Sequence, residues 1–221
     1  MGPRMITVSK EDYLKAIAEA EAEGETVISA TLAHWLSVTR PAVTTALKRL
    51  AKDDLVRVSK DGRVQLTASG RSVAERTILR HHLIERMLTE IFDMPWYEVH
   101  DEAERLEHAV SPAFEAKLAA TLGHKDACPH GNGLSLRSDS ERRKHGLCLL
   151  SEAEEHKKYQ VKSVYERDRK LLEFLDHEGL LPGTPVVVDS RNYDGTVTLT
   201  IGSTRVRLGL PAASKVWVAR A

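Results

Sequence analysis

The sequence predicts a mainly α fold with a small β component: an N-terminal winged helix-turn-helix, a helical domain that dimerises, and a C-terminal SH3-like β-barrel. Three observations carry that prediction. Two short helical patterns around a tight break are followed by an Asp-Gly hairpin, a long helical block comes next, and five short alternating segments surround one brief helix at the end.

In order, SKEDYLKAIAEAEAEG places Tyr13, Leu14, Ile17 and Ala18 at helical spacing after Ser9, a cap candidate, and stops at Gly24. SATLAHWLSV repeats the pattern from Ser29, with Leu32, Ala33 and Leu36 apolar. After Ser37–Val38–Thr39, RPAVTTALKRLAKDDL puts Pro41 in a first helical turn, where its missing N–H is harmless, and sets Val43, Ala46, Leu47 and Leu50 on one face. LVRVSKDGRVQLT alternates, turns at Asp61–Gly62 and alternates again, the pattern of a β-hairpin. A helix-turn-helix with a hairpin behind it reads as a winged helix, placed at residues 1–73.

Thr67–Gly70 then opens a long helix through RTILRHHLIERMLTEIF. Pro95 interrupts, YEVHDEAERLEHAV starts another helix, and SPAFEAKLAATLG adds a third that Gly123 closes. This block, residues 74–140, has more apolar surface than one helix pair can bury, so it is the expected homodimer surface. HKDACPHGNGLSLRSDSERRKHG is polar and aperiodic and reads as loop, with a linker at 141–158. KYQVKSVY, PGTPVVVDS, GTVTLTIG, TRVRLG and KVWVA read as strands and RDRKLLEFLDHEG as a helix, which together make an SH3-like barrel at 159–221.

With 221 residues, 42% of them hydrophobic, the chain can build two or three small cores. Its formal net charge of zero argues against indiscriminate attraction to nucleic acid, but the charge is divided. Eight cations face three anions between residues 38 and 72, whereas ten anions face four cations between 81 and 126. No stretch approaches the roughly 20 apolar residues needed to cross a bilayer. MGPRMITVSKEDY lacks a signal-peptide core, and Ile6 stands where myristoylation wants Ser or Thr, so a cytoplasmic protein without membrane contact is expected. Cys128 and Cys148 are too few for a disulfide framework and read as reduced thiols.

HDEAERLEH, residues 100–108, carries two histidines and four carboxylates with Arg105 as the single cation. At about 100° per residue, His100, Glu104, Glu107 and His108 share one helix face, which is either a solvated charge stripe or a binding site. The i, i+4 spacing that stacks metal ligands on a helix occurs in His81/Glu85, His100/Glu104 and Glu104/His108. Six such residues on two adjacent helices, with no lysine between them, favour the binding site. No catalytic pattern competes: Glu-x-x-His pairs, HExxH, a phosphate-binding Gly-rich loop, GxSxG and a Cys–His nucleophile are all absent, so no enzyme is expected.

In order and spacing, EDYLKAI, TRPAVTTALKRL, LTASGR, RHHLIERML, VHDEAERLEH, ACPHG and LLEFLDHEGLLPGTPVVV resemble the diphtheria toxin repressor family of metal-dependent transcriptional regulators over essentially the whole chain. The last of these resembles the SH3-like (FeoA-like) domain of longer members. The resemblance implies one metal site at His81, Glu85 and His100 and another at Glu104, Glu107 and His108, completed by Asp12. Longer members add oxygen ligands from the C-terminal domain. YERDRKLLEFLD aligns ambiguously by one residue, so both Glu166 and Asp168 are candidates.

Iron-type members carry Met and Cys where this chain has Asp12 and Glu104, and exchanging soft sulfur for hard oxygen implies Mn(II) as the ion. Fe(II) or another divalent transition metal is the alternative, and a helical metal-binding protein or metalloenzyme without DNA binding a more distant one. Lys15 stands where manganese-type members often have a carboxylate, which favours separate sites over a closely spaced pair. Cys128–Pro129–His130–Gly131 resembles a family loop and is read as structural.

For DNA, Thr39, Arg40, Pro41, Ala42, Thr44 and Thr45 lie at the start of the recognition helix, with Lys48, Arg49, Lys60 and Arg63 placed for phosphates. His34 and Trp35 read as packing residues. The expectation is a homodimeric, metal-activated repressor of metal-homeostasis genes bound to a palindromic double-stranded operator. In this reading carboxylates repel one another without the ion, leaving the first helix loosely held, and the ion joins them.

Overall fold

Helices α1 (Val8–Ala22), α2 (Ser29–Trp35) and α3 (Arg40–Lys52) form where the apolar spacing places them, with Ser9 inside α1 rather than capping it. Thr39 Oγ1 accepts the Ala42 N–H at 3.4 Å and so caps α3, with Pro41 in its first turn. The tight turn before it holds Ser37 at φ 53°. Strands β1 (Val56–Val58) and β2 (Val64–Leu66) pair antiparallel across the Asp61–Gly62 turn. Leu14, Ile17, Leu32, Val43, Leu47, Leu50, Val56 and Val64 make one core beneath them. The computed structural model describes residues 8–123, 127–133 and 136–221. Ile6, Lys125 and Asp126, which entered the readings of lipidation and charge, lie outside the described residues.

Helix α4 (Ala68–Glu90) begins where Thr67 Oγ1 accepts the Gly70 N–H at 3.1 Å. A Cβ on Gly70 would stand 1.9 Å from the Leu55 carbonyl oxygen, so only glycine lets the helix start lie against the wing. Ala74 and Ile78 belong to the winged-helix core, while Ile84 and Leu88 pack with Val99, Ala103 and Leu118 of α5 (Val99–Leu106) and α6 (Pro112–Leu122). One rigid helix therefore runs through both units. On the middle block Ile91, Phe92, Leu106 and Phe114 remain exposed.

The stretch read as loop and linker is more ordered than expected. Ser138 and Glu141 form a reciprocal capping box at the start of α7 (Asp139–Lys144), a local signal present in SDSE. A bridge between Ala127 and Gly133 closes a turn around Cys128 and His130. Strand β3 (Leu147–Leu149) then joins the C-terminal sheet against β8 (Val216–Arg220). Six strands, one more than expected, form this SH3-like antiparallel sheet in the order β3-β8-β4-β5-β6-β7. The others are β4 (Lys157–Val164), β5 (Pro185–Arg191), β6 (Thr196–Ile201) and β7 (Thr204–Gly209). Register shifts at Val161/Ser163 and Val188/Ser190 are bulges that tighten its curl.

Helix α8 (Arg169–His177) covers the sheet core of Val161, Leu172, Leu175, Val188, Leu199 and Val218, and α9 (Leu210–Ala213) is a single added turn. Trp96, from the α4–α5 connection, enters this core, and its Nε1–H donates to Asp176 at 2.6 Å. Among the described residues no helix is long and apolar enough to cross a membrane.

Gly131 fixes the Cys128–His130 turn to the sheet: its φ is 80°, and a Cβ there would meet the Lys162 carbonyl oxygen at 2.0 Å. Gly195 has nearly the same φ, 76°, with nothing within 4 Å of its would-be Cβ. Left-handed strain alone should cost Gly195→Ala about 1 kcal/mol. Gly131→Ala should lose a further ~1–3 kcal/mol from the clash. Denaturant melts of the two variants check this, and equal losses would remove the close-approach argument.

Candidate metal centre

Helices α4 and α5 lie side by side, so residues one turn apart on each converge. His81 Nε2 is 3.0 Å from Glu85 Oε1 and 3.0 Å from His100 Nδ1, and His100 Nδ1 is 3.2 Å from the same carboxylate oxygen. Behind them the C-terminal domain delivers Glu166, whose Oε1 is 4.0 Å from His100 Nδ1 and 3.7 Å from His82 Nε2. The turn held by Gly131 adds His130, 3.3 Å from Glu85 and 3.7 Å from Glu166 through Nδ1, and Cys128, whose Sγ is 3.7 Å from Glu166 Oε2. His130 Nε2 donates to the Trp96 carbonyl at 2.8 Å, which leaves Nδ1 facing the carboxylates.

Two atoms in this buried cluster, Glu85 Oε2 and His82 Nδ1, have no hydrogen-bond partner. An unpartnered, fully buried carboxylate oxygen is costly unless a cation meets it. In two overlapping groups, His81/Glu85/His100/Glu166 and His82/Glu85/Cys128/Glu166, the donor atoms lie within 4.8 Å of one another, and either set fits a divalent transition ion. Burial raises the Glu85 and Glu166 carboxyls, but the imidazoles outweigh it: His130 and His81 hold Glu85 well below the usual carboxylate range, and His82 and His100 do the same for Glu166. Burial pushes the Cys128 thiol up, and the Glu85 and Glu166 charges push it further.

A second group forms where α1 meets the end of α5. His108 Nε2 is 2.7 Å from Asp12 Oδ1 and 3.5 Å from Glu107 Oε1, and these three residues can also surround an ion. They line a cavity of about 600 Å³ with Lys15, Trp35, Ser37 and Arg167. Glu104, expected in this group, turns elsewhere: its Oε1 is 3.4 Å from Lys15 Nζ, 3.5 Å from Arg167 and 3.7 Å from His100 Nε2. The neighbour of His108 Nδ1 is Glu11 Oε2 at 2.8 Å, a residue that helical spacing does not single out.

Lys15 changes the expected electrostatics. Its side chain is only 4% exposed, and its ammonium donates to Glu107 Oε2 at 2.7 Å. His81 Nδ1 meets the same oxygen at 2.6 Å. Arg80, also buried, reaches the Glu107 carbonyl oxygen at 2.9 Å and Glu115 at 3.1 Å. The carboxylates therefore do not repel unopposed: a lysine of α1 sets one positive charge against Glu107 and Glu104 and ties α1 to α5. The expectation of a first helix kept loose by carboxylate repulsion is corrected accordingly.

Asp168 is also placed away from both groups. Its Oδ1 accepts the Leu171 N–H at 3.1 Å as the cap of α8, so Glu166 is the residue of this loop that enters the cluster. His82, Cys128, His130, Glu11 and Lys15 are the additions. His82 follows His81 directly, and Lys15 lies one turn after Asp12, but neither neighbour reveals a direction without the fold. Trp35, read as packing, lies under the Arg167 guanidinium at 4.8 Å from its ring centroid. Thr39, Arg40, Pro41, Ala42, Thr44 and Thr45 are all exposed at the start of α3, as are Lys48, Arg49, Lys60 and Arg63. The Thr44 and Thr45 hydroxyls donate to the Arg40 and Pro41 carbonyls, and Arg63 pairs with Asp61 at 3.0 Å.

Lys15→Met should destabilise the protein in chelator by about 3–5 kcal/mol, because it leaves buried carboxylates without their cation. Guanidinium melts read this, and a loss under about 1 kcal/mol would remove the ammonium's structural role. Burial raises Glu107, but the His81 hydrogen bond and the Lys15 charge bring it down from 4.5 to about 2. A depressed carboxyl stabilises the fold above its ordinary value, and that contribution is lost as pH falls from about 4.5 towards 2. Burial and Lys15 lower His81, yet Glu85 and Glu107 win and raise it from 6.5 to about 9, so its contribution is complete below 6.5 and lost as pH rises through about 9. Melting temperature in chelator should fall at both ends, and Glu107→Gln should flatten the acid limb.

Family models match the chain in three consecutive pieces: the N-terminal DNA-binding domain of iron-dependent repressors over residues 5–64, their metal-binding and dimerisation domain over 67–133, and the FeoA domain over 148–220. The chain is 32% identical to the diphtheria toxin repressor of Corynebacterium glutamicum over 207 residues, 90% of each protein. It is 38% identical to the iron-dependent repressor IdeR of Mycobacterium tuberculosis over 122 residues, 55% of this chain and 53% of that one. With several curated relatives the alignment spans about half their length. A manganese-dependent transcriptional repressor solved with manganese superposes with a TM-score of 0.86 at 30% identity, covering 96% of this chain and 100% of that one. The manganese regulator SloR superposes at 0.78 with 28% identity over the full length of both chains. Matched from its DNA-binding head to its FeoA domain, and 32% identical to one relative over 90% of both proteins, the chain belongs to the diphtheria toxin repressor family of metal-dependent transcriptional regulators.

Proposed function

We propose that the protein is a homodimeric repressor, activated by Mn(II), that binds palindromic operator DNA of metal-homeostasis genes. The observation that carries this reading is Asp12: it sits on the first helix of the DNA-binding head, yet lies 2.7 Å from His108 of the helical block. A ligand that uses both residues must act on the joint between reading and dimerising units.

Asp12, Glu107 and His108 would hold one ion, with Glu11 alongside. His81, Glu85, His100 and Glu166 would hold the other, with His82, Cys128 and His130 at its edge. The bound ion supplies positive charge and a fixed arrangement of donors. Asp12 carries that constraint into α1, whose Leu14 and Ile17 share a core with Leu32 of α2 and Val43 of α3. The Thr39–Thr45 turn of each α3 would then enter successive major grooves about 34 Å apart in the dimer. Ile91, Phe92, Leu106 and Phe114 offer apolar surface for the second copy.

Mn(II) is the preferred ion because the outer group is rich in carboxylate and has one imidazole, with no sulfur. Fe(II) is the second reading, favoured by the imidazoles and the Cys128 thiol of the inner group. Titrating operator binding with each divalent ion in turn, without oxygen, decides between them.

Asp12→Ala should reduce Mn(II)-stimulated operator binding by tenfold or more while size-exclusion chromatography still shows a dimer. A gel shift against DNA upstream of metal-transport genes reads the effect. A variant with the full Mn(II) response would overturn the coupling through α1. Ion binding by the unmodified protein without any DNA affinity would instead favour a metal-binding protein of another kind.

A further inference from the structure

We propose that Arg167 is a positioning residue that carries the state of the inner cluster to the DNA-binding head. The inference rests on the reading of that cluster as an ion site and adds a second route to the head, independent of Asp12.

The loop between β4 and α8 presents two consecutive side chains to two different places. Glu166 enters the inner cluster, beside His82, His100, His130 and Cys128. Arg167 faces the head. Its guanidinium donates through one terminal nitrogen to Glu19 of α1 at 2.7 Å and through the other to the Trp35 carbonyl at 3.3 Å. The same group stacks over the Trp35 ring at 4.8 Å and lies 3.5 Å from Glu104 of α5.

Trp35 is the last residue of α2, and four residues separate it from the start of α3 at Arg40. Its Nε1–H is also held by Glu25 at 3.2 Å. Fixing both its carbonyl and its ring therefore fixes the entry to the turn that aims α3. Adjacent residues in one short loop cannot move far independently, because the peptide unit between them is planar and the chain has only two soft dihedrals per residue. Anything that pins Glu166 among the imidazoles consequently limits where Arg167 can stand. Arginine suits this position because its planar group donates in two directions and stacks on an aromatic ring at once, which lysine does not do.

The test is hydrogen exchange read by mass spectrometry, with MnCl₂ as the probe, in an Asp12→Ala background that removes the route through Asp12. With Arg167 present, Mn(II) should slow exchange both in residues 81–100 and in residues 29–39. Arg167→Ala should keep the first effect and lose about tenfold or more of the second, within the usual range of coupling factors. Arg167→Lys, which preserves charge and the α1 ion pair but not the stack and fork, should fall between. Undiminished protection of residues 29–39 in Arg167→Ala, or no Mn(II) effect on that segment when Arg167 is present, overturns the relay. If Arg167→Ala does not fold, Arg167→Lys alone decides, and protection equal to that of the parent counts against the proposal. Operator binding is measured separately: its absence with the exchange relay intact would defeat the repressor reading and leave Arg167 as the relay.

Discussion

Burying many charges in one joint is the constraint on which the rest of this structure depends. Lys15, His81, Glu85, Glu107 and His130 are all nearly inaccessible to water, and Glu166 is close to it. Each would be prohibitively costly alone and is tolerable only with partners of opposite sign or good hydrogen bonds. Those partners come from α1, α4, α5, the Cys128–His130 turn and the β4–α8 loop. The three units of the chain are thereby obliged to meet at one place, which no apolar contact by itself would specify so narrowly.

The C-terminal sheet is part of that joint rather than an appendage. Trp96 inserts into its core, Arg169 pairs with Glu98 at 2.7 Å, and His130 binds the Trp96 carbonyl. These contacts orient the loop that delivers Glu166 and Arg167. Scaffold and site are consequently coupled: a shift of the sheet changes donors in the inner cluster and the grip on Trp35 together.

The two ligand groups differ in chemistry as well as place. The inner one is buried, imidazole-rich and bordered by a thiol, while the outer one is carboxylate-rich and opens on a cavity beside the recognition turn. Lys15 stands between them with its ammonium on Glu107, a fixed cation that keeps α1 in place and separates the groups. Ion selectivity in such a protein is set by which donors can converge and how far they can move, more than by intrinsic affinity.

Local pattern determined much of this. Helical spacing in α1 to α6, the Asp61–Gly62 hairpin, five of the six strands of the C-terminal sheet and the i, i+4 pair His81/Glu85 were legible because each depends on neighbours within a turn or two of chain. Family resemblance supplied Asp12 and the pair of candidates Glu166 and Asp168, but not the choice between them. That choice, the inward swing of His130 and Cys128, the turning of Glu104 towards Lys15 and Arg167, and the ammonium set among the acids were decided by tertiary structure alone. Spacing reports which side chains share a face, whereas the direction of a buried charge is settled by a partner that can lie more than a hundred residues away, as Arg167 does from Glu19 and Trp35.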